Sequence, residues 1–120
     1  MSDVIEAIGK LREYAEKLDE LGDALTRVER DLEPVAEQYE AFMLDFEVGL
    51  WKAHEDTGAK LPSAAMRVKL AHKAMDPALL GRYTGLVAAR KRGQEKIRTV
   101  KAAAEAQRSI LSALKEAMVS

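Results

Sequence analysis

Residues 76–118, DPALLGRYTGLVAARKRGQEKIRTVKAAAEAQRSILSALKEAM, start a helix and then contain nothing that stops it. Asp76 is an N-cap residue, and Pro77 takes the first helical position, where a missing N–H is no loss. From Pro77 to about Met118 the helix would run about 60 Å at 1.5 Å per residue. Its late apolar row is Ile97, Val100, Ala104, Gln107, Leu111, Leu114 and Met118, alternating steps of three and four as a coiled-coil seam does. Such a helix cannot bury its own seam, so it needs the N-terminal helices, a second chain, or both. The same helix carries Gly81, Gly85, Ala89 and Gly93 at four-residue spacing, a row read as a close helix-packing surface, with a hinge or ligand approach as the other reading.

N-terminal to this helix, Ser63 can open a short helix through Met75, with Met66, Leu70 and Ala74 on one side. Before it, Thr57 to Pro62 reads as a helix stop with Gly58 at the left-handed position. Residues 35–53 place Val35, Tyr39, Phe42, Phe46, Leu50 and Ala53 on one row, widened by Met43, Leu44 and Trp51. With both phenylalanines and the single tryptophan, this stretch is the expected aromatic core, Trp51 included. Pro34 predicts a kink or a break between a helix over 1–33 and another over 34–57. In the first segment Asp3 is a candidate cap with Glu6 in the capping-box position. The apolar row there is Val4, Ile8, Leu11, Ala15, Leu18, Leu21, Leu25, Val28 and Leu32, and its 15–18–21 steps predict a local phase slip. Strand alternation is absent. The expected fold is all-α, a single domain: an elongated helical hairpin or bundle with coiled-coil-like seams, its long C-terminal helix packed against N-terminal helices.

Composition narrows the function classes. At 48% hydrophobic and 32% charged residues the chain is neither disordered nor membrane-embedded by composition. No apolar run suffices to span a bilayer, and the first residues lack the apolar core of a secretory signal. Without cysteine there is no disulfide, thiolate metal site or Cys nucleophile, which suits a cytoplasmic location. Two histidines, His54 and His72, stand without HExxH, GxSxG or a phosphate-binding loop. His72 and Asp76 are within reach on a helix, but no spacing supplies further metal ligands. A non-enzymatic protein with no cofactor, no metal and no small-molecule substrate is expected.

The net charge of −1 conceals a polarity. Residues 1–59 carry a net −10 and residues 60–120 a net +9. Within the second half Arg82, Arg90, Lys91, Arg92, Lys96, Arg98 and Lys101 are interrupted by one acid, Glu95, and are read as a basic stripe that tracks phosphates. Three readings compete. The acidic and basic helices neutralise each other internally; the basic helix binds nucleic acid; or one face recognises a protein, either by DNA mimicry or in head-to-tail self-association. Tyr83 alone offers base stacking near the stripe.

The order of features from residue 35 to 118 resembles the small all-helical proteins that tailed bacteriophages encode among their DNA replication and recombination genes. Tyr39, Trp51-Lys52-Ala53, the Gly58–Pro62 turn with Arg67, Tyr83, and Gln107-Arg108-Ser109 before Ile-Leu-x-x-Leu-Lys carry the resemblance. It implies a phage accessory protein in the host cytoplasm, binding DNA or a nucleoprotein partner through the basic helix, and it carries over no catalytic residue. The alternatives are an inhibitor of a host DNA-processing or defence protein acting through the acidic half, and a structural oligomer. A homo-oligomer, with a dimer favoured, is expected because one chain covers these long seams poorly.

Overall fold

The computed structural model describes residues 2–119, which form three helices: α1 (Ser2–Thr57), α2 (Ala64–Ala74) and α3 (Pro77–Val119). The protein is all-α, and the long C-terminal helix packs against the N-terminal one. The local signals act as their chemistry dictates. Asp76 accepts from the Ala78 N–H at 3.1 Å and so caps α3, while the Ser63 hydroxyl accepts from the Met66 N–H at 3.3 Å and caps α2. Gly58 closes α1 with φ +70°, a conformation in which a side chain is strained.

The first helix differs from its sequence pattern in three respects. Pro34 does not divide the first helix, so the boundary between 33 and 34 is not seen. Leu32 and Val35 on either side of it are both buried, and packing on both sides holds the helical phase across the lost hydrogen bond. Asp3 lies within the first turn of a helix already formed at Ser2. The phase slip is also absent. The inward row of α1 is Val4, Ala7, Leu11, Tyr14, Leu18, Leu21, Leu25, Val28, Leu32, Val35, Tyr39, Phe42 and Phe46, all buried or half-buried, in unbroken steps of three and four. Ala7 and Tyr14 take the places expected of Ile8 and Ala15, which are exposed.

Contacts divide the chain into two compact units: Met1–Val28 with Ala89–Ser120, and Glu29–Ala88. In the first unit, the two helices run antiparallel, with Leu25 Cδ1 only 3.3 Å from where a Cβ on Gly93 would stand. Equal steps outward from that pair bring Tyr14 level with Ala104 and Ala7 level with Leu111, each pairing a large side chain with a small one. This size match explains why Ala7 and Ala104 are the buried residues of this unit.

The second unit is built on Leu32, Val35, Ala71 and Met75, all buried. α2 turns Arg67, Leu70 and Ala71 inward, not Met66 and Ala74, because Arg67 is tied to α1. Tyr39 stacks on Tyr83 with ring centroids 3.8 Å apart. Trp51 lies outside the aromatic cluster, since the row passes through Phe46 and Leu50 and places Trp51 about 100° further round the helix. Ala53 and Met118, at the ends of their expected rows, are exposed as well.

Candidate functional site

A helix turns about 100° per residue, and this spreads the seven clustered basic residues, Arg82 to Lys101, around the circumference of α3 instead of along one stripe. Arg90 falls on the inward row of α3, between Leu86 and Gly93, and is half-buried; the other six are exposed. Arg82 lines a hollow of the second unit beside Arg30, Asp31, Pro34, Gly81 and Gly85. Lys91 and Arg98 point away from the seam, and Lys101 stands on its opposite flank.

Arg92 and Lys96 do come together, and α1 adds to them. They line an open hollow of the first unit with Lys17, Leu21, Glu95, Thr99 and Val100, giving three cations to one carboxylate above a floor of leucine and valine. Lys17 escaped the sequence reading because it sits in the acidic half. Its signal was positional: it immediately precedes Leu18 on the inward row, the place from which a side chain flanks the partner helix.

The polarity between the helices is not consumed by ion pairs. Among the described residues two salt bridges form: Lys10 with Glu6 at 3.6 Å, within α1, and Arg67 with Glu47 at 2.8 Å, between α2 and α1. Neither joins α1 to α3. Apart from half-buried Arg90, the clustered cations of α3 are exposed, and among the described residues none of them is paired with a carboxylate of α1.

The small-residue row also differs from its reading as a packing surface. A Cβ at Gly81 or Gly85 would meet nothing within 4 Å, whereas at Gly93 it would meet Leu25. At four-residue spacing the row winds from the solvent face into the seam, so its last glycine alone meets a neighbouring helix.

A second polar cluster lies in the other unit. One oxygen of Glu47, Oε1, accepts from Arg67 Nε at 2.8 Å and from the Trp51 indole N–H at 3.1 Å. Arg67 also donates through Nη1 to the Pro62 carbonyl at 2.7 Å, and its guanidinium lies 6.0 Å from the Trp51 ring centroid. Both histidines have partners. His72 Nε2 is hydrogen-bonded to the Tyr39 hydroxyl at 2.7 Å, and His54 donates from Nδ1 to the Ala59 carbonyl at 2.6 Å. Burial, with a smaller contribution from the neighbouring Tyr83, raises the Tyr39 pKa above the ordinary 10.0. Among the described residues no group of three or more metal-ligating side chains comes together, and no helix is long and apolar enough to cross a membrane.

The first unit is thus an antiparallel helix pair with an open cationic hollow. No protein-family model, curated protein or solved structure matches the chain.

Proposed function

We propose that this is a non-enzymatic accessory protein of DNA transactions, which holds DNA or a nucleoprotein partner through the cationic positions of α3. The observation that carries the reading is the lack of any ion pair between α1 and α3 among the described residues. Exposed cations with no carboxylate partner are available to phosphates, and binding releases the counterions condensed on the nucleic acid. Lys17, Arg92 and Lys96, which line one hollow, form the contact. Both histidines are engaged in structural hydrogen bonds, which favours binding over acid–base chemistry. The resemblance to helical phage proteins supports setting this activity in the cytoplasm of an infected cell.

The reading includes a homodimer. Six side chains are buried among the described residues, and three of them are alanines. Ile110 is half exposed among Ala106, Ala113 and Ala117, a surface on which a second helix can approach closely.

The test is oligonucleotide retardation, on single- and double-stranded DNA, across a salt series. The wild-type chain is expected to bind at low salt. The Lys17→Glu, Arg92→Glu, Lys96→Glu triple variant is expected to lower the slope of log affinity against log salt by about 2–3, near one unit per lost phosphate contact. No retardation at low salt overturns the reading.

A further inference from the structure

The second unit presents an apolar row that its own fold leaves open. Leu44, Val48 and Trp51 recur at the spacing that aligns side chains along one helix face, and they are 64%, 42% and 44% exposed. One member of this row is held in position. The Trp51 indole donates to Glu47, lies near the Arg67 guanidinium and meets His54 edge-on at 6.0 Å and 88°. An exposed tryptophan whose rotamer is already fixed loses little entropy when it is covered, which is the property of a binding anchor.

The charges around the row define its occupant. By helical phase Glu37 and Glu55 stand in line with it at either end, Glu40 beside Glu47 on one flank, and Asp45 and Lys52 on the other. Glu47 is paired with Arg67, so the net charge of the rim comes from Glu37, Glu40, Asp45 and Glu55 against Lys52, and it is acidic. A second copy meeting this face with the same face would set carboxylate against carboxylate. The basic stretch of α3 does not fit either, because from Arg82 to Lys101 it exposes no large apolar side chain. We infer that the row of Leu44, Val48 and Trp51 is the docking site for a basic amphipathic helix of another protein, whose apolar row covers Trp51 while its lysines or arginines meet the glutamates of the rim. This gives the acidic half of the chain a protein partner of defined chemistry, separate from the cationic hollow of the first unit.

Trp51 is the single tryptophan, so its emission reports on this site alone. The probe is a synthetic helical peptide with leucines at i, i+4 and i+7 and lysines on its flanks, titrated into the full chain. A saturable blue shift is expected, at least tenfold weaker for Leu44→Asp, Val48→Asp and for the same peptide with glutamate flanks. Both substituted positions are exposed, and circular dichroism confirms that the variants remain folded. Oligonucleotide retardation by the variants is expected to be unchanged, which separates this site from the proposed DNA contact. Three results would each overturn the inference: no saturable shift, binding undiminished by the aspartates, or a shift that follows protein concentration without peptide, which would make a second copy the occupant.

Discussion

The rings of Tyr39 and Tyr83 lie face to face, 3.8 Å between centroids and 6° from parallel, and join α1 to α3 in the second unit. The Tyr39 hydroxyl extends the tie to α2 through His72. Three helices therefore meet at one phenol. Replacing Tyr83 by alanine is expected to cost about 2–3 kcal/mol, from lost burial and lost stacking. Replacing Tyr39 by phenylalanine keeps the stack and removes one hydrogen bond, at about 1 kcal/mol. Urea unfolding of the two variants checks both the values and their order.

The raised pKa of Tyr39 makes stability depend on alkaline pH. In the unfolded chain this phenol ionises near the ordinary value of 10.0, while in the folded chain it stays neutral to higher pH. The unfolded state then binds fewer protons than the native state, so stability falls as pH rises through 10.0 toward the folded value. Absorbance titration of the tyrosines should show a late component in the wild-type chain that Tyr39→Phe removes.

The glycines of α3 are expected to separate by position. Gly81→Ala and Gly85→Ala place their methyl groups in open space and should each stabilise the protein by roughly 0.5–1 kcal/mol. Gly93→Leu drives a large side chain against Leu25 and should cost about 1–3 kcal/mol. Pro34→Ala restores a backbone donor in the middle of α1 and is expected to stabilise by about 1–3 kcal/mol. Thermal melts of the four variants give the ranking directly.

Arg67 connects the α1 to α2 turn with the Trp51 anchor. Arg67→Met retains the apolar stem but loses the bonds to Glu47 and to the Pro62 carbonyl. With the partly exposed carboxylate screened by solvent, the loss should be about 1–2 kcal/mol. Trp51 should also gain motion, read as a fall in fluorescence anisotropy.

Ile110→Glu tests the homodimer. Light scattering across a concentration series should show the wild-type chain as a dimer and the variant shifted toward monomer. A wild-type monomer throughout would remove the dimer from the proposal.

Element type was legible in the sequence because caps, prolines and glycines act locally: Asp76-Pro77, Ser63 and Gly58 each stand where their backbone chemistry requires. The facing of the helices was less so. Ala7 beside Ile8, and Tyr14 beside Ala15, offer two apolar choices each, and the choice is made by the size of what lies opposite, Leu111 and Ala104. In α2 the inward turn of Arg67 was hidden because its partner Glu47 lies far away in the chain. The basic residues were legible as a cluster in sequence, but helical rotation disperses them, and only the fold brings Lys17 beside Arg92 and Lys96.

The unbroken alternation of threes and fours along both long helices bears on how the chain tolerates changes in length. Seven residues are two full turns of such a seam. A matched insertion or deletion of one heptad in α1 and one in α3, both within the first unit, keeps every remaining seam residue facing its partner helix. A change of two or five residues in one helix alone turns the whole outer segment onto its wrong face. The first unit is thus a hairpin of adjustable reach, extended or shortened in fixed increments, while Glu29–Ala88 stays the same.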